Sequence, residues 1–105
     1  MSTLLRLNLI AGVLIASSIT SSHAHAADFF NGESVYRKYC QSCHGVKGHG
    51  GIGGAPNFAR GKSLMKPDFE LYMAIESGKN AMPAFRGVLE EEEFYDVITY
   101  IRSFY

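Results

Sequence analysis

The sequence predicts an all-α fold: three main helices, joined by loops, gathered around one group that two cysteines hold. Three observations carry this. Phe94, Val97, Ile98 and Ile101 recur at i, i+3, i+4 and i+7, the spacing of a half-buried helix. Gly32, Tyr36 and Cys40 stand four apart and so share one helix face. Directly after that face, Cys40-Gln41-Ser42-Cys43-His44 forms C-x-x-C-H, the attachment signature of a c-type haem. Each thiol can add to a haem vinyl group as a thioether, and His44 offers an imidazole nitrogen to the iron.

Two other chemistries compete for the same residues. A thiol–disulfide site needs a reactive thiolate and is expected within a βαβ pattern, whereas this chain offers helices and glycine loops. A zinc site would recruit Cys40, Cys43, His44 and His49, yet the adjacent pair Cys43 and His44 is poorly placed to reach one tetrahedral ion. Covalent attachment of a single haem is the reading that fits.

Residues 1–26 read as a secretory signal peptide. One basic residue, Arg6, precedes an apolar run from Leu9 to Ala16, and a small, polar stretch ends in Ala24-His25-Ala26. The run is short of the ~20 apolar residues a bilayer span requires. Cleavage before Ala27 leaves residues 27–105, one domain of 79 residues. A protein-only core is marginal at that size, and small domains usually carry a staple. Both cysteines belong to the haem motif, so no disulfide is left to serve, and haem becomes the expected condition for folding. Without the leader the charge is nearly balanced but unevenly spread. Residues 44–88 carry net +3 and residues 89–105 net −4, with histidines neutral. No basic nucleic-acid surface is present.

In chain order, the first helix is expected over Asn31–Cys43, with Asn31 as N-cap and Glu33 in the first turn. Gly32 costs about 1 kcal/mol of helix propensity relative to alanine, and its expected benefit is a close helix crossing. Seven glycines between Gly45 and Gly61 mark a loop able to approach a flat ligand closely, and it is stiffened by Pro56-Asn57-Phe58. A phosphate-cradling loop is excluded by the missing G-x-x-x-x-G-K-[ST] pattern. A second helix spans Asp68–Ser77, opened by Pro67 and closed by Gly78, with Leu71 and Ile75 buried and Met73 turned away. The last helix is expected over Gly87–Phe104, its opening turns carrying Glu90 to Glu93 as a solvated face that suits the helix dipole.

With these pieces the chain resembles the class I cytochromes c, small bacterial monohaem members in particular, along nearly the whole of residues 27–105. Gly32, Tyr36 and Cys40 resemble that family's N-terminal helix, and Val97 and Tyr100 the C-terminal helix that crosses it at the glycine. Pro56 resembles the proline whose carbonyl accepts a hydrogen bond from the proximal imidazole. Met82-Pro83 resembles the distal-ligand loop. The resemblance implies the cytochrome c fold and one covalent haem c, tethered by Cys40 and Cys43 and ligated by His44 and Met82. Gly32, Tyr36, Pro56, Val97 and Tyr100 are implied as support for the pocket. Two features depart from the pattern: Glu90 stands where the family usually caps the last helix with Ser, Thr or Asp, and no tryptophan is available to a haem propionate. Arg60 and Lys62 are candidate substitutes.

The residues also select the methionine. Met65 sits at a helix entry and Met73 on the far side of its helix, whereas Met82 lies in a short loop that Pro83 stiffens. His49 is the alternative ligand, but it lies too near His44 to reach the opposite haem face easily.

A Met/His pair fills both axial positions and raises the reduction potential, which disfavours substrate chemistry. The expected function is therefore one-electron transfer by a periplasmic shuttle that is not an enzyme. The basic residues from Lys47 to Arg86 would frame the haem edge for redox protein partners with an acidic docking surface. No nucleic acid and no stable membrane insertion after cleavage are expected. The Met-Pro-Ala-Phe loop is similar to that of small cytochromes accompanying nitrite reductases, which implies a respiratory or denitrification pathway. The rival is a haem enzyme or gas sensor in which Met82 dissociates, with His49 as the spare histidine.

Overall fold

The computed structural model describes residues 25–52 and 54–105, so residues 1–24 of the expected signal peptide lie outside it. Among the described residues four α-helices follow one another: α1 Phe29–Tyr39, α2 Gln41–His44, α3 Asp68–Ser77 and α4 Glu91–Arg102. Two 3₁₀ turns, Phe58–Arg60 and Lys62–Leu64, interrupt the long α2–α3 connection. The described residues contain no strand, only two isolated bridges, Lys79 with Met82 and Arg86 with Leu89.

The first helix starts earlier than its sequence suggests and stops sooner. Its N-cap is Asp28, whose carboxylate accepts the N–H groups of Phe30 and Asn31 at 2.9 and 3.0 Å. Asn31 does another job. Its amide donates to Asp96 Oδ2 at 2.7 Å, and the Asp28 N–H donates to Asp96 Oδ1 at 2.6 Å. Asp96 is buried on α4, so two donors from the start of α1 satisfy a carboxylate that would be costly to bury alone. Glu33 lies beyond the first turn and pairs with Arg37 one turn on, at 2.6 Å. At Cys40 the backbone departs from ideal helix geometry (φ −117°, ψ −36°), and this one residue separates α1 from α2 although its N–H still donates to the Tyr36 carbonyl at 2.9 Å.

The crossing of α1 over α4 is the main contact of the fold. A Cβ at Gly32 would sit 2.0 Å from the Asp96 carbonyl oxygen and 3.1 Å from Tyr100 Cβ, so only glycine permits this approach. Val35, Tyr36, Phe94, Val97, Ile98, Tyr100 and Ile101 are buried around it. Each fully buried side chain of this size contributes roughly 1.5–3 kcal/mol.

The second predicted helix matches α3 residue for residue. The last one is shorter than expected at both ends. Gly87 adopts φ +77°, which keeps residues 87–90 out of the helix, and α4 starts at Glu91 with Glu90 as N-cap. The Glu93 carboxylate reaches back to accept the Glu90 N–H at 2.9 Å, supplying part of what a Ser or Thr cap would. At the other end the Arg102 guanidinium donates to the carbonyls of Leu64 and Lys66 at 2.7 and 2.6 Å. The same guanidinium also donates twice to Asp68 Oδ1, at 2.9 and 2.6 Å. One side chain thereby fixes the chain entering α3 to the end of α4.

Candidate haem pocket

The helices leave a cavity of about 1,060 Å³ beside α1 and α4, closed by the α2–α3 connection and the segment after α3. Its size is at the upper end for small-molecule pockets. Cys40, Cys43 and His44 stand on its wall, and so does Met82, which enters from the segment between α3 and α4. Tyr36, Leu71, Ile75, Phe85, Val97 and Ile101 give it apolar surface, while Arg60, Lys62, Lys66 and Lys79 contribute cations.

Of the residues singled out in the sequence, Tyr36, Pro56 and Val97 line the cavity, whereas Gly32 and Tyr100 do not. Those two act from behind, at the helix crossing, so their support is through packing rather than contact. Tyr36 is fully buried, and its hydroxyl donates to the Gly45 carbonyl at 2.6 Å, tying α1 to the residue after His44. Burial, reinforced by Cys40 and Tyr100, pushes the Tyr36 phenol up to about 12.

His44 is buried, and burial lowers its imidazole pKa, a shift that the nearby Pro56 carbonyl partly opposes. Yet Nδ1 is buried and makes no hydrogen bond of ordinary length and angle, to Pro56 or to any other group. The imidazole is held flat against the Phe58 ring, with centroids 4.6 Å apart and planes 18° from parallel. Two backbone bonds shape the loop that carries Phe58: Gly50 N–H to the His44 carbonyl at 2.8 Å and Phe58 N–H to the Gly48 carbonyl at 2.6 Å. At Gly50, where φ is +81°, a Cβ would lie 2.7 Å from the Ala55 carbonyl oxygen. This loop fold, not a phosphate cradle, is what the glycines permit.

Met82 is fixed by the backbone around it. Lys79 and Met82 exchange both N–H···O bonds, at 3.1 and 2.9 Å, around a tight turn in which Asn80 takes φ +54°. A Cβ at Gly78 would fall 2.7 Å from the Met82 carbonyl oxygen and from the Ala84 nitrogen. The loop thus folds directly onto the end of α3. Phe85 N–H to the Ile75 carbonyl (3.1 Å) and the 2.6 Å Arg86–Glu76 ion pair anchor its far side. By contrast Met65 and Met73 are exposed and lie off the cavity wall, as does His49.

The Cys40 thiol is not set up as a redox nucleophile. Cys40 is half-buried, and burial, with Cys43 beside it, pushes its thiol up to about 12, the reverse of the low value a thiolate nucleophile needs. Nor is there a zinc site: among the described residues no three His, Cys, Asp or Glu side chains are placed to share a metal ion. A roomy apolar slot, two thiols, a buried imidazole with an unpartnered nitrogen, a thioether and a cationic border together fit a haem. Phe58 and Asp96 escaped sequence reasoning. A single aromatic in a glycine loop and a single acid on an acidic helix carry no periodic signal.

The chain is also similar to known proteins. Residues 27–101 match the family described as cytochrome c oxidase, cbb3-type, subunit III. Cytochrome c6 of Nostoc sp. (strain PCC 7120) is 35% identical over 99 residues, covering 86% of this chain and 83% of that protein. Cytochrome c6 of Anabaena variabilis is 37% identical over 84 residues, 71% of this chain and 90% of that protein. Cytochrome c6 of Pyropia yezoensis is 35% identical over 89 residues, covering 76% of this chain and 74% of that protein.

Proposed function

The chain belongs to the class I c-type cytochromes, electron carriers rather than enzymes that hold one covalent haem c, and from that premise we propose an exported one-electron shuttle whose haem sits in the cavity between His44 and Met82. The observation that carries this placement is the presence of Cys40, Cys43, His44 and Met82 on the wall of one cavity. Bound haem c supplies an iron that takes up or releases one electron.

The chain's residues do the rest. The Cys40 and Cys43 thiols would tether the haem as thioethers, each S–H adding across one vinyl group, so no external oxidant would be needed. His44 and Met82 would hold the iron through an imidazole nitrogen and a thioether sulfur, which would leave no site for substrate or oxygen. Phe58 holds the imidazole plane, and the Lys79–Met82 turn holds the thioether, which keeps the geometry fixed as the charge changes.

Export rests on the pattern of residues 1–26, and the family match beginning at Ala27 is consistent with cleavage before that residue. The destination proposed is the periplasm, and the pathway a respiratory or denitrifying one, as the Met82-Pro83-Ala84-Phe85 loop suggests. Among the described residues no helix is long and apolar enough to cross a membrane. Arg60, Lys62, Lys66 and Lys79 border the cavity, which favours redox partners with an acidic face. Replacing both Cys40 and Cys43 with alanine tests the attachment. The variant is expected to lose all its haem on acid-acetone extraction, while the parent chain keeps it. Haem retained by the variant would refute the tethers.

A further inference from the structure

Phe104 and Tyr105 lie beyond the end of α4, line no part of the cavity, and have no share in the function proposed above. Each of their rings covers one glycine. A Cβ at Gly48 would fall 2.6 Å from Phe104 Cδ2, and a Cβ at Gly61 would collide with the Tyr105 ring. Both glycines have positive φ, +69° and +72°, a conformation that suits glycine and brings the bare backbone up to the rings. Those same two glycines hold Phe58. The Phe58 N–H donates to the Gly48 carbonyl at 2.6 Å, and the Phe58 carbonyl accepts the Gly61 N–H at 2.9 Å. Phe58 is thus pinned, at both of its backbone groups, to positions on which an aromatic ring rests.

Phe104 is itself braced from behind. Its ring meets those of Tyr36 and Tyr100 edge-on, with centroids 5.1 and 5.0 Å apart and planes at 74° and 79°. Tyr36 is fully buried, and Tyr100 stands at the α1–α4 crossing. On its other side Gly48 is enclosed between Phe104 and Phe58, since the same added Cβ would lie 2.9 Å from Phe58 Cβ. Tyr105 stays 77% exposed and is the weaker of the two braces.

With this support Phe58 lies flat on the His44 imidazole, 4.6 Å away and 18° from parallel. A ligating histidine is usually oriented by a hydrogen bond from its other ring nitrogen. His44 Nδ1 has the Pro56 carbonyl nearby but no hydrogen bond of ordinary length and angle, so the stack is the tighter constraint on its plane. Resting on the haem placement above, we propose that Phe104 is a positioning residue for the proximal ligand. Seated on Gly48 and braced by Tyr36 and Tyr100, it holds Phe58 against His44 and so sets the plane in which the imidazole meets the iron. Tyr105 steadies the same segment at Gly61. The end of α4 is thereby tied to an axial ligand that it does not touch.

The test uses the haem-loaded ferric protein and reads its paramagnetically shifted haem-methyl proton resonances, whose order and spread follow the planes of the axial ligands. Haem content and the iron–sulfur band are read alongside, and parent values for both show that the tethers and Met82 are intact. On that background Phe104→Ala is expected to move the methyl resonances, and Tyr105→Ala to move them in the same sense by less. Phe58→Leu, which removes the flat ring but keeps apolar bulk, is expected to move them further. Adding Phe104→Ala to Phe58→Leu should then move them no more. Unchanged resonances in Phe104→Ala overturn the proposal. So do shifts that add in the double variant, which would mark an effect of Phe104 through Tyr36 or Tyr100 instead of Phe58. Should Phe104→Ala fail to load haem, Phe104→Leu is read by the same criteria. A parent chain lacking the iron–sulfur band would instead strike the axial assignment on which the proposal rests.

Discussion

Met82 differs from Met65 and Met73 in what surrounds it rather than in chemistry. The latter two are 77% and 42% exposed and lie off the cavity wall, whereas Met82 is half-buried, packs against the core and stands on that wall. Its loop is held by the Lys79–Met82 bonds and the closed approach at Gly78. Met82→Ala is therefore expected to leave haem attached but abolish the iron–sulfur band and admit carbon monoxide to the ferrous iron. Met65→Ala and Met73→Ala should change neither. An unaltered band in Met82→Ala would assign the sixth ligand elsewhere. Pro83 made this residue legible in the sequence, since a proline beside a methionine in a short loop is a local signal. The stacking of Phe58 on His44 was not legible, because it depends on how a fourteen-residue glycine loop closes back on itself.

At the scale of elements, one contact decides how near α1 and α4 come. Alanine at Gly32 would gain about 1 kcal/mol of helix propensity, yet its Cβ would meet a backbone oxygen at 2.0 Å, which no rotamer change can relieve. Overpacking of this kind typically costs ~1–3 kcal/mol, and displacing a main chain belongs at the top of that range. Gly32→Ala is expected to lower the melting temperature of the haem-loaded protein by about 5 °C or more, given ~4–8 °C per kcal/mol for a domain of this size. A variant as stable as the parent would show that the helices do not cross at Gly32. The core face of α4 was readable because its period is regular, and α3 because Pro67 and Gly78 bracket it. The break at Cys40 was not. Helical spacing runs on through Gln41–His44, and only the local departure of the backbone at Cys40 separates α1 from α2. The cap was misread for a related reason. Asp28 and Asn31 are both good N-caps, and the choice between them is made by Asp96, which is 65 residues away in sequence and takes Asn31 for itself.

For the molecule as a whole, the buried side chains gather around the α1–α4 crossing, and a cavity of about 1,060 Å³ lies against them. A haem in so large a hollow would serve as a structural component, as the size of the domain and the lack of a cysteine spare for a disulfide already implied. The fold class and the covalent motif could be read from spacing alone. The hold of Arg102 on the Leu64 carbonyl could not, because it joins residues 38 apart and forms only through tertiary packing. The central claim is a closed iron between His44 and Met82, and the visible spectrum of the mature, haem-loaded protein tests it most directly. We expect a weak long-wavelength iron–sulfur band in the ferric form and no response of the ferrous form to carbon monoxide. A missing band together with rapid carbon monoxide binding would mean an open iron and would contradict the account.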